Sequence, residues 1–158
     1  MQEYVTELLA TVEDSAAMLL SIPEADAERH PAPGKWSPKE ILGHLIDSAA
    51  NNHQRFVRGQ LAAGQAFAGY EQDAWVAAQR YQEAPWDELV ALWHAYNRHL
   101  ARVMAAVPEP ARRTLHRLQS FRAPDAAPDE QEVTLDFVMR DYVDHLRHHL
   151  RQIAAITG

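Results

Sequence analysis

The sequence predicts an all-α fold built on four long amphipathic helices. Three observations carry that expectation. Apolar residues recur at three- and four-residue spacing in four separate stretches. Prolines fall between those stretches or at their starts. No segment alternates apolar and polar residues convincingly enough to read as a strand.

The first helix runs from about residue 3 to residue 22, with Val5, Leu8, Leu9, Val12, Leu19 and Leu20 repeating along it. Pro23 ends it, and the stretch to Gly34, with Pro31 and Pro33, reads as a linker. The second helix has a clear start: Ser37 as N-cap, Pro38 at the first helical position and Glu40 completing a capping box. Leu42, Leu45, Ile46, Ala49 and Phe56 then mark an apolar face that runs to about Leu61. A glycine-containing break follows over residues 64–69, and residues 73–81 form a short additional helix.

The third helix follows Pro85. Trp86, Leu89, Trp93, Tyr96, Leu100, Val103 and Val107 step by threes and fours, as in a bundle seam. Residues 108–133 hold four prolines and read as a long connection, with a helical turn around residues 111–118. Thr134 caps the fourth helix, whose inner stripe is Leu135, Val138, Tyr142, His145, His149 and Ile156. Arg140, Asp144, Arg147 and Arg151 fall opposite, and His148 leans toward that polar side. With no internal repeat and no compositional break, residues 1–158 read as a single domain, a size sufficient for a core.

Composition narrows the functions available. The net charge of −7 opposes nonspecific binding to nucleic acid, and the clusters Arg112-Arg113-Arg117 and Arg147-Arg151 are too small to reverse it. No apolar run approaches the roughly 18 residues needed to cross a bilayer, so no membrane association is expected. The start, Met1-Gln2-Glu3-Tyr4, lacks a signal-peptide pattern, which makes the cytoplasm the expected location. The chain has no cysteine, so disulfides, thiolate ligands and a cysteine nucleophile are excluded.

Chemistry concentrates in the histidines. His145 and His149 are one helical turn apart, which stacks their imidazoles on one face. Two imidazoles on an apolar stripe need partners for their nitrogens, because leaving a buried polar group unpaired costs roughly 1–3 kcal/mol. A shared metal ion would satisfy both, with a third imidazole from another helix completing a facial site that keeps positions open. Helical phase leaves that third ligand open. His44 sits at the edge of the second helix's apolar arc, beside Ser48 and Asn51, whereas His53 lies nearer its centre. His94 and His99 lie off the seam of the third helix and suit surface roles, and His30 and His116 fall in connections. Asp47 and Asp141 stand one turn from His44 and His145, where a carboxylate could accept an imidazole N–H, or simply face solvent. Gln152, one turn after His149, could cap a buried polar group or face water. Trp75, Trp86, Trp93 and Tyr96 could wall a cavity, although at helical spacing such residues more often build core.

Three segments resemble the DinB-like family, which takes in the YfiT-type metal-dependent hydrolases. They are Gly34-Lys35-Trp36-Ser37-Pro38-Lys39-Glu40-Ile41-Leu42-Gly43-His44-Leu45-Ile46-Asp47-Ser48, Gly69-Tyr70-Glu71-Gln72-Asp73-Ala74-Trp75 and His145-Leu146-Arg147-His148-His149-Leu150-Arg151-Gln152-Ile153. The resemblance implies a four-helix bundle with a long crossover connection, commonly a homodimer. It also implies a divalent metal held by one histidine of the second helix and two of the last, and three imidazoles accommodate zinc, nickel or iron alike. Those positions match His44, His145 and His149. Members of the family include S-transferases that use bacillithiol or mycothiol and a maleylpyruvate isomerase. A low-molecular-weight thiol is therefore an expected cosubstrate.

The leading expectation is a metal-dependent enzyme, an S-transferase or a hydrolase, acting on a small molecule through a metal-activated thiol or water. Asp47 would orient a ligand or relay a proton. Two other readings compete with it: a non-catalytic, metal- or ligand-binding dimeric bundle in which the metal is structural, and a bundle whose histidines bind no metal at all.

Overall fold

The structure, a computed structural model, describes residues 2–121, 127 and 129–158. Its long helices are α1 (Glu3–Leu20), α3 (Pro38–Leu61), α5 (Trp86–Ala106) and α7 (Leu135–Thr157). Between them lie the short helices α2 (Glu24–Ala27), α4 (Gln72–Gln79) and α6 (Glu109–Arg112), and a 3-10 turn at Tyr81–Glu83. Among the described residues, no helix is long and apolar enough to cross a membrane.

The start signals act as the sequence predicts. Ser37 Oγ accepts from the Glu40 N–H while Glu40 returns the bond to the Ser37 N–H, and Pro38 opens α3. Thr134 Oγ1 accepts from the Phe137 N–H at 3.1 Å and starts α7. The short helix expected over residues 73–81 is α4 with the 3-10 turn behind it; Glu71 caps it by accepting from Asp73 and Ala74.

Packing gives the bundle its order. α1 lies against α5 and α7, and α3 lies against the same two helices, so the ring runs α1–α5–α3–α7. The chain therefore crosses one end of the bundle between α1 and α3, and again between α5 and α7. Tyr142 of α7 is fully buried and donates to Asn97 Oδ1 of α5 at 2.5 Å, across the middle of the core. The Trp86 indole N–H donates to the Leu19 carbonyl at 2.7 Å, locking the start of α5 to the end of α1.

The α1-to-α3 crossing is secured by Lys39, which is 1% exposed. Its ammonium pairs with Glu24 and, at 3.0 Å, with Glu28, and donates to the Gln82 carbonyl at 3.3 Å. One buried cation thus joins α2, α3 and the 3-10 turn, and its two carboxylates offset the cost of removing it from water.

A strictly all-α fold is corrected by a small sheet of order β1–β2–β3: β1 (Ala66–Phe67), β2 (Leu115–Ser120) and β3 (Asp129–Thr134). β1 runs parallel to β2, and β2 antiparallel to β3. The helical turn expected around residues 111–118 occurs earlier, at Glu109–Arg112, and the chain is already a strand by Leu115. The strands escaped notice because β2 and β3 each bury one residue, His116 and Val133. With so little burial, no period-two apolar signal exists to be read.

The inner stripe of α7 is also shifted. Met139, Val143, Leu146, Leu150 and Ile153 are buried alongside Leu135, Val138 and Tyr142, while His145, His149 and Ile156 are half-buried at its margin. The margin faces α3. That is where a polar cluster can form without sitting in the core.

Candidate metal centre

α3 and α7 are neighbours in the ring, and this contact brings His44 to His145 and His149. His44 Nε2 lies 3.2 Å from His145 Nε2, which lies 3.1 Å from His149 Nε2. One ring nitrogen from each of the three can be chosen so that all lie within 4.8 Å of one another. The imidazoles meet edge to face, with centroids 4.5–5.1 Å apart. His44 is completely buried and the other two are half-buried, so the cluster has a closed back and an open front.

The donor chemistry favours a cation at the point of convergence. His149 Nδ1 lies 2.6 Å from Gln152 Oε1, which can only accept, so Nδ1 carries the hydrogen and Nε2 presents a lone pair. His145 Nε2 then faces two nitrogens, and a single hydrogen on it can serve only one of them. Three neutral imidazoles leave one lone-pair contact unrelieved; a metal ion relieves all of them. Nitrogens each about 2.1 Å from a common ion sit roughly 3.0–3.4 Å apart in octahedral or tetrahedral arrangements, which brackets the two contacts made by His145 Nε2.

Burial keeps these imidazoles neutral. Desolvation first, then the neighbouring imidazoles, pull His44 down to about 3 and His145 to about 4. His149 is lowered by desolvation too, against the Gln152 hydrogen bond that raises it.

Asp47 does not do what its spacing predicts. Its Oδ1 accepts from Tyr81 Oη and from Gln79 Nε2, both at 2.6 Å, and no hydrogen bond joins it to a histidine of the cluster. Among the described residues, its Oδ2 and His44 Nδ1 are buried without a hydrogen-bond partner. Desolvation raises the Asp47 pKa, opposed by those two hydrogen bonds. Tyr81 reaches Asp47 because Gly43 has no side chain: a Cβ there would stand 2.1 Å from the Tyr81 ring.

A family model described as the DinB superfamily matches residues 7–153, nearly the whole chain. The chain belongs to the DinB superfamily. A curated relative from Bacillus subtilis (strain 168), named "Putative metal-dependent hydrolase YfiT", is 25% identical over 126 residues, covering 78% of this chain. The matched stretch spans 65% of that relative's length. A solved structure of YfiT from Bacillus subtilis, described as a probable metal-dependent hydrolase with an unusual four-helix bundle topology, superposes with a TM-score of 0.80. It covers 99% of this chain and 87% of its own at 17% identity, which shows a shared fold.

Around the cluster, this DinB chain opens two cavities. A polar one of about 470 Å³ is lined by His145 with Ser48, Asn52, Arg55 and Tyr70. A more apolar one of about 470 Å³ is lined by His149 with Trp36, Ile41 and Ile156. None of Trp75, Trp86, Trp93 and Tyr96 lines either cavity; Trp86 and Trp93 are core.

The remaining histidines separate as follows. His53 hydrogen-bonds the Tyr96 hydroxyl at 3.2 Å and contacts the His99 ring, apart from the cluster. His94 pairs with Glu13 at 3.1 Å, and His148 is exposed. His116, which carried no sequence signal, is fully buried: it stacks on Phe67 at 4.8 Å and bonds the Gln65 N–H and the Thr114 hydroxyl. It fastens the sheet, with both ring nitrogens bonded there. Asp141 is exposed. Gln152, left open by the sequence, is the group that orients His149.

Proposed function

We propose that this chain is a metal-dependent enzyme acting on a small molecule, with His44, His145 and His149 as ligands of a divalent ion. The observation that carries the reading is the approach of His44 Nε2 and His149 Nε2, at 3.2 and 3.1 Å, to His145 Nε2 between two cavities. A bound divalent ion would act as a Lewis acid, lowering the pKa of a water or thiol in an open position so that it is nucleophilic near neutral pH. Three imidazoles accept zinc, nickel or iron(II) alike.

The chain's own groups divide the remaining work. Gln152 fixes the tautomer and orientation of His149. Trp36, 5.1 Å from the His44 ring, gives the more apolar cavity an aromatic wall beside the cluster. Hydrolysis is the reaction we favour, in keeping with the name of the Bacillus subtilis relative. The presence of two cavities, one polar and one apolar, supports a second reading, transfer between two bound molecules. Because the chain lacks cysteine, any thiol would be a cosubstrate.

The test is metal content by mass spectrometry on protein purified without an affinity metal. Near-stoichiometric metal is expected in wild type and in His53→Ala, and its loss in His44→Ala, His145→Ala and His149→Ala. Activity on ester or amide substrates, or thiol conjugation of an electrophile, should vanish with the metal. Full activity in verified metal-free protein overturns the proposal.

A further inference from the structure

The face of α3 that carries His44 continues past the cluster. Ser48, Asn52 and Arg55 follow His44 at steps of four, four and three, so the four side chains share one side of the helix. The last three line the polar cavity together with His145, Tyr70 and Asp141. Arg55 is half-buried there. Its guanidinium donates to the Ala68 carbonyl at 2.8 Å and to Asn52 Oδ1 at 3.4 Å, and among the described residues it forms no ion pair. A guanidinium has five N–H donors in a planar fork, and among the described residues these two bonds occupy two of them, on a side chain that lines the cavity.

Position and charge define what it would bind. Helical side chains lean toward the N-terminus, and the bond to Asn52 shows that Arg55 does so. The level of Asn52 is about 12 Å along the α3 axis from His44. We propose that Arg55 anchors a carboxylate of the substrate, a polar, peptide-like acid on the order of 10 Å long, the span between Arg55 and the three histidines. This rests on the metal-enzyme reading only for where the reacting end lies. Ser48, between the two ends, offers its hydroxyl to an amide-like body, while Asn52, bonded to Ser48 and to Arg55, sits at the guanidinium end. Asp141 faces Arg55 from α7, and Glu71 and Asp73 also stand on the wall. Among the described residues, Arg55 is thus the one cation of the lining against three carboxylates, a balance that repels a phosphate dianion more than a monoanion held on the guanidinium. Glu71, also on the cavity wall, is occupied by capping α4.

The test is calorimetric titration of the full chain with N-acetylglycylglycine and with its carboxamide, an uncharged isostere. Wild type should bind the acid about tenfold or more tightly than the amide, the worth of a charge-assisted pair. Arg55→Gln should bring the acid down to the amide and leave the amide unchanged. Arg55→Lys keeps charge without the fork, so a preference reduced at least about threefold is expected, and this variant serves if the glutamine form fails to fold. Equal binding of the two probes by wild type overturns the proposal, as does a preference that survives in Arg55→Gln. Equal losses for acid and amide also overturn it, since they make Arg55 a clamp on the segment holding Ala68. Each titration is repeated on metal-free protein. An Arg55-dependent preference in a chain that takes up no metal would leave this inference standing and remove the proposed function. Metal uptake with no preference would do the reverse.

Discussion

At the scale of single residues, the cluster depends on groups that never touch the convergence point. Gln152 holds His149 in the tautomer whose Nε2 faces its neighbours. Removing such a partner typically weakens metal affinity about 10–100-fold. Gln152→Ala should show that loss in competition with a chelating dye, while its helicity is unchanged. Gly43 matters for the opposite reason, because the Tyr81 ring fills the space a methyl would need. Gly43→Ala should cost about 1–3 kcal/mol by overpacking, read as a lower urea midpoint, and should release Asp47 from Tyr81. The sequence made the clustered histidines visible only as part of a wider set of candidates. Helical phase put His53 nearer the apolar centre than His44, and the structure buries His44 completely while His53 pairs with Tyr96. Phase reports which way a side chain leaves its helix, not which neighbour it meets; the family's motif order supplied what phase could not.

At the scale of elements, helices were legible because their caps are local chemistry. Ser37, Pro38, Glu40 and Thr134 act through bonds within four residues, and a reader of the sequence has all the partners in hand. Thr134→Ala should cost about 0.5–2 kcal/mol of stability in chemical denaturation. The strands were not legible, since β1 pairs with a strand some fifty residues on and neither β2 nor β3 carries an apolar alternation. Buried Lys39 makes the linker between α1 and α3 responsive to acid. The Lys39 ammonium holds the Glu24 carboxyl below its ordinary 4.5, helped by the Trp86 N–H. A carboxyl whose pKa is lower folded than unfolded stabilises the fold above its unfolded pKa and loses that contribution as pH falls through the folded value. Unfolding free energy should therefore drop as pH falls below about 4.5, and Glu24→Gln should flatten part of that slope. An unchanged slope would mean that the pair does not hold α2 to α3.

At the scale of the molecule, the proposed ion joins α3 to α7, two helices whose other contact is packing. A ligand that binds only the folded chain stabilises it by mass action, about 2.7 kcal/mol at a hundred times its dissociation constant. Adding metal to stripped protein should raise the melting temperature in calorimetry, and His145→Ala should abolish that rise. The ring order α1–α5–α3–α7 has a further consequence, for synthesis on the ribosome. Both neighbours of α1 come later in the chain, and the nearer, α5, starts at Trp86. At roughly 5–20 residues per second, Leu8, Val12 and Leu19 have no permanent cover for several seconds after they are made. A nascent chain of this fold is thus a client for whatever shields apolar helices during translation, and slow codons between residues 21 and 85 would lengthen that exposure.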